Sequence, residues 1–138
     1  MTLQSSAGYH ERSHTADWAL DVWAPDLDGL LQQAARGMYA LMQARLAREP
    51  REQYQFEINA LDREVILVTF LSELLYFTQR DEVGFDQFNL TWDDQRLTAV
   101  VEGAPLESLA KEIKAVTYHN LMVRETEGRV EATIVFDV

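Results

Sequence analysis

The chain contains no cysteine, which excludes disulfides, thiolate catalysis and cysteine-ligated zinc and fits a reducing compartment. Glycine and proline are scarce, six and three in 138 residues, and they fall where turns are expected. No linker or low-complexity stretch divides the sequence, so residues 1–138 read as a single domain. No apolar run approaches the ~20 residues that span a bilayer. Met1 to Arg12 lacks the apolar centre of a signal peptide. On these absences a cytoplasmic protein with no membrane partner is expected. Also missing are the HExxH zinc spacing, a phosphate loop, a Gly-x-Ser-x-Gly elbow and a dinucleotide fingerprint. Neither Ser13 nor Thr15 has an adjacent base with its orienting partner. Lysine is nearly absent: Lys111 and Lys114 are the only two.

What is present is a mixed composition, 47% hydrophobic and 25% charged, with a formal net charge of −11. There is enough apolar material for one sizeable core. The acidity repels phosphate backbones, so stable direct nucleic-acid binding by the whole domain is not expected; a basic protein partner suits it better.

The order of patterns is that of an α+β fold, with two main helices packed on largely antiparallel sheet. Trp18 to Trp23 alternates as a strand. Asp26 or Asp28 caps a helix expected from Leu27 to Arg48, whose apolar residues recur at three- and four-residue steps. Arg45 and Arg48 would complement the dipole in its last turn, and Pro50 would end it. Gln53 to Ala60 alternates as a half-buried strand. Asp62 caps a second helix, expected to reach Thr78 and to be the more deeply buried of the two. Phe85–Trp92 and Leu97–Glu102 flank the polar turn Asp93–Arg96. Leu121–Arg124 and Val130–Phe136 flank Glu125–Arg129. Leu106 to Lys111 is predicted as a short helix after Pro105, and Ile113 to His119 as extended.

Three stretches ignore the hydrophobic logic. Tyr9 to Asp17 packs titratable and hydroxyl groups just ahead of a strand. Lys111 to His119 holds both lysines beside Tyr118 and His119. Phe136-Asp137-Val138 runs a core strand straight into an acid and the last residue. There the Asp137 side chain neighbours the Val138 α-carboxylate, a repulsion of ~1 kcal/mol in water and ~4 kcal/mol at an effective dielectric near 20. Solvation, protonation or a bound cation relieves such repulsion. If Asp17 joined the cluster, its oxygens would suit Ca²⁺ or Mg²⁺. Read singly, each stretch is ordinary: a turn, a surface lysine packed on a ring, a solvated end. Glu73, in Phe70–Phe77, is read first as an exposed helical carboxylate, and second as a support for a ligand or histidine.

Taken in order, four segments resemble the archease family. They are His14-Thr15-Ala16-Asp17, the helical Phe70-Leu71-Ser72-Glu73-Leu74-Leu75-Tyr76, Lys114-Ala115-Val116-Thr117-Tyr118-His119-Asn120-Leu121, and Phe136-Asp137-Val138. The resemblance spans Tyr9 to Val138. Trp18 departs from it, standing where a smaller or aliphatic residue is expected, and Val138 replaces the commoner final isoleucine.

The resemblance implies an accessory protein rather than an enzyme. Its partner would be the GTP- and metal-dependent RNA ligase that joins 3′-phosphate or 2′,3′-cyclic-phosphate ends to 5′-hydroxyl ends in tRNA splicing or RNA repair. The accessory role is to promote the ligase's guanylylation and repeated turnover. The implied metal ligands are Asp17, Asp137 and Val138, for a divalent ion, Ca²⁺ or Mg²⁺. Lys114 is implied as a functional residue, with His14, Tyr118, His119 and Glu73 as site or support candidates. A chaperone-like binding module is the alternative, followed by a metal-dependent hydrolase.

Overall fold

Trp18 opens a strand whose alternate residues Leu20, Val22 and Ala24 are fully or almost fully buried. Ala19 and Trp23, on the opposite face, are buried too, so the strand lies inside a sheet. The computed structural model describes residues 6–12 and 18–138. The elements run β1 (Gly8–Arg12), β2 (Trp18–Ala24), α1 (Leu27–Leu41), β3 (Arg45–Leu46), β4 (Glu52–Asn59) and α2 (Arg63–Asp81). They continue with β5 (Val83–Asp93), β6 (Arg96–Ser108), β7 (Ala115–Val116), β8 (Arg124–Thr126) and β9 (Arg129–Asp137). This is an α+β architecture of two helices packed on antiparallel sheets, as the sequence pattern implies.

The first sheet runs β1-β2-β9, with β7 and β8 both paired to β9. Phe136 pairs with Trp18 and with Val116, and Glu131 pairs with Trp23 and with Arg124. A strand has two edges, so β7 and β8 share the edge of β9 that faces away from β2. The second sheet is built on β6, with β4 and β5 paired along the same residues of it and β3 at its far end. α1 lies against β1 and β2, α2 lies against β4, β5 and β7, and the helices touch each other. One core joins these layers, with Leu20, Leu30, Met38, Phe70, Leu97 and Phe136 completely enclosed.

The caps at the helix starts follow from composition. Asp26 accepts the Gly29 amide at 2.8 Å, and Asp62 accepts those of Glu64 and Val65, which satisfies donors that a helix leaves orphaned. The ends do not follow the pattern. α1 stops at Leu41, seven residues before Arg48, because Gln43 takes a left-handed φ of 52° and the chain turns into β3. Arg45 and Arg48 therefore cap no helix. The expected helix over Leu106–Lys111 is absent as well: β6 continues through Pro105 to Ser108. Leu106 donates to the Glu82 carbonyl and Ala47 donates to the Pro105 carbonyl. Pairing on β3 and β5 overrides the local preference. α2 extends to Asp81, and α1 rather than α2 is the more deeply buried, with eight of fifteen residues buried against eight of nineteen.

Two turns close tighter than the sequence pattern implies. Asp93 pairs with Arg96, leaving Asp94 at φ 58° in a two-residue turn. Thr126 pairs with Arg129 around Glu127 and Gly128, both at positive φ.

Candidate functional site at the end of strand β9

β9 enters the core as alternating Val130, Ala132, Ile134 and Phe136, all buried, then releases Asp137 exposed to solvent. The last pairing of the strand is with β7. Ala115 is the register partner of Asp137, and the Lys114 amide donates to the Asp137 carbonyl at 2.8 Å. Lys114 and Asp137, forecast separately, are therefore neighbours, and both side chains are exposed. Val138 is half-buried and packs against the core, which fixes the main chain beyond Asp137.

The segment after β7 folds back along β9. The Thr117 amide and hydroxyl both donate to the Val135 carbonyl, at 3.1 and 2.9 Å. The His119 backbone amide in turn donates to the Thr117 hydroxyl, and the His119 ring Nε2 lies 3.3 Å from the Asn120 side-chain Nδ2. Asn120 takes a left-handed φ of 51°, a conformation Asn tolerates better than most residues. The Tyr118 ring is left half-exposed. Ile113 and Gln79 hold the segment from the other side: Ile113 is buried, and its carbonyl accepts the Gln79 side-chain amide. Thus β7 and its loop are tied to both α2 and β9.

Glu73 lies half-buried on α2 and makes no hydrogen bond or ion pair among the described residues. His14 and Asp17 lie outside the described residues. Trp18 and Phe136 are register partners, which sets the start of β2 beside the end of β9.

One contact escaped the sequence reading. The Lys111 ammonium lies 4.0 Å from the centroid of the Trp18 ring, at a distance suited to cation–π attraction. Its signals were a rare lysine and an unexpected tryptophan, more than ninety positions apart, with nothing local to join them.

Among the described residues no group of three or more His, Asp or Glu side chains gathers as a metal cluster. The described oxygens at this end are the Asp137 carboxylate and the main-chain oxygen of Val138. They are hard donors, fit for Ca²⁺ or Mg²⁺ and unfit for a soft ion.

The model of the Archease protein family (MTH1598/TM1083) matches residues 9–138. Protein archease from Methanopyrus kandleri is 31% identical, over 94% of this chain and 99% of that one. Protein archease from Methanothermobacter thermautotrophicus is 27% identical, over 90% and 94%. Two solved structures share the fold. The solution structure of Methanobacterium thermoautotrophicum protein 1598 superposes with a TM-score of 0.72 at 24% identity, covering 95% of this chain and 99% of that one. The crystal structure of an archease from Thermotoga maritima, described as a possible chaperone, gives 0.72 at 20% identity, covering 94% and 98%. A two-sheet, two-helix α+β domain with this strand end defines the class, and the chain belongs to the archease family.

Proposed function

We propose that this protein is an accessory activator of a GTP- and metal-dependent RNA ligase, promoting its guanylylation and multiple turnover. The observation that carries the reading is the β7–β9 junction, where the Lys114 amide holds the Asp137 carbonyl and both side chains project into solvent. Asp137 and the Val138 main-chain oxygen would hold a divalent ion, with Asp17 as the third ligand one covalent step from Trp18. A bound Ca²⁺ or Mg²⁺ would supply positive charge for nucleotide phosphates. Lys114 would act beside it as a compact point charge, pairing with a carboxylate or meeting a phosphate. The half-exposed Tyr118, with His119, would line the contact with the ligase, and the chain's net charge of −11 would steer it toward a basic partner.

The test is a multiple-turnover joining assay with the cognate ligase and GTP. Wild type should stimulate turnover; Asp17→Ala, Asp137→Ala and Lys114→Ala should each lose most of the stimulation. Variants as active as wild type would end the proposal. Calorimetry with Ca²⁺ and Mg²⁺ separately tests the metal, and Asp137→Ala should abolish the binding isotherm.

A chaperone-like module is the second reading. It is favoured by the Thermotoga maritima description and by the apolar surface that Tyr118 and Met122 expose. Suppression of aggregation of an unrelated unfolded protein, without any ligase, would distinguish it.

A further inference from the structure

The outward face of the first sheet carries a cleft with a chemistry unlike the rest of this acidic chain. Register sets the face. His10, Asp21 and Thr133 form one row across β1, β2 and β9, and Trp23, Glu131 and Arg124 form another across β2, β9 and β8. The loop carrying Asn120 and Met122 walls the cleft, which is half-open and has a volume of about 650 Å³, within the range of small-molecule sites.

The cleft gathers three of the chain's ten arginines, Arg12, Arg124 and Arg129, with His10, against two carboxylates, Asp21 and Glu131. These charges are unequally engaged. Arg129 is committed: it bonds Glu131 at 2.8 Å and lies over the Trp23 ring. Asp21 accepts the Thr133 hydroxyl at 2.6 Å, while its contact with Arg12 is loose at 3.7 Å. Arg12 is more than half exposed, and the Arg124 guanidinium has no ion pair among the described residues. Two guanidiniums and an imidazole are left facing one cavity in a chain of net charge −11. Solubility does not call for such an arrangement, and a planar guanidinium fork matches phosphate oxygens in pairs.

We infer that this cleft binds a small phosphate-bearing ligand, with Arg12 and Arg124 on the phosphate and His10 beside them. Asp21 and Glu131 then stand as acceptors for hydroxyl or amino groups on the rest of the ligand. The site is distinct from the strand end: Thr133 precedes Asp137 by four residues on the same face, ~13 Å along a strand. It does not depend on the ligase reading.

NMR titration of the full chain tests the inference, using inorganic phosphate, adenosine 5′-monophosphate and adenosine as probes. Amides of Asn120, Met122 and Thr133 should shift saturably at millimolar nucleotide, and the dissociation constant should rise about tenfold or more in Arg12→Ala and in Arg124→Ala. Arg48→Ala, at a residue that does not line the cleft, should bind as wild type, and thermal melts confirm that each variant is folded. Tighter binding of the nucleotide than of inorganic phosphate would identify a nucleotide as the source. Equal binding of the two would identify the phosphate group alone, and either result supports the site. Equal binding of adenosine and nucleotide, absence of shifts at these amides, or shifts unaltered in both arginine variants would overturn it.

Discussion

Lys111 and Trp18 meet face to face, ammonium over ring at 4.0 Å. The contact ties the loop leading to β7 onto the first residue of β2. Trp18 pairs with Phe136, so one end of the first sheet is braced by a charge. An exposed cation–π contact is worth ~0.5–1 kcal/mol. A double-mutant cycle with Lys111→Met and Trp18→Leu, read by urea unfolding, should return a coupling of that size. Strict additivity would show that the two groups merely sit together.

Gly103 faces a harder constraint. A Cβ there would fall on the Gly84 carbonyl, beside the bulge between Phe85 and Gln87. Backbone has to move, so Gly103→Ala should cost about 3 kcal/mol or more. Gly128 makes the comparison: its φ is 78° but nothing lies within 4 Å of an added Cβ, and Gly128→Ala should cost only ~1–2 kcal/mol, the left-handed penalty. Equal losses in the two variants would refute the steric account.

Deep in the core the Tyr39 hydroxyl and the Thr78 hydroxyl lie 2.9 Å apart, linking α1 to α2. Burial pushes the Tyr39 phenol well above its usual range. Removing one partner leaves the other buried without it, so Tyr39→Phe should destabilise by ~1–3 kcal/mol. The paired change, Tyr39→Phe with Thr78→Val, should recover part of that. A double variant as damaged as the sum of its parts would argue against the bond.

Acid and base should act at the end of α2. Asp81 is lowered from 3.8 to about 2, first by the Arg80 guanidinium and then by the Tyr54 hydroxyl. Tyr54 is raised from 10.0 to about 12, by desolvation first and by Asp81 next. For Asp81 the folded value lies below the unfolded one. Its contribution is therefore present above pH 3.8 and lost as pH falls toward 2. For Tyr54 the sign reverses: the contribution is present below pH 10.0 and lost as pH rises through 12. Stability against pH for wild type and Asp81→Asn checks both limbs, and the acid limb should flatten in the variant. An unchanged acid limb would remove Asp81 from the account.

The elements that periodicity could read were those that bury a face alone. Leu30, Leu31, Ala34, Ala35 and Met38 placed α1, and Tyr54, Phe56 and Ile58 placed β4, because the spacing is set by one element's own geometry. Element ends were read less well. Gln43 terminates α1 with no glycine or proline to announce it, and Pro105 lies inside β6 because of β3 and β5, which no local pattern encodes. β1 carries only a polar pattern in the sequence, because its place is set by pairing with β2. For the site, composition gave Asp137 and Lys114 as separate oddities. Their adjacency is a property of the β7–β9 register, and the Lys111–Trp18 contact of tertiary packing; neither is local.

The central position of β9 carries a kinetic consequence. β2 pairs on one side with β1, close by in sequence, and on the other with β9, more than a hundred residues later. During synthesis β1 and β2 therefore emerge well before β9, and one edge of β2 stays bare until β9 is made. Such distant pairings close slowly, and an open edge is sticky meanwhile. The junction of Lys114 with Asp137, and the cleft beneath Asn120, both need β9 in place. A chain without β9 thus displays neither, and whatever this protein engages through them meets only molecules in which β9 has docked.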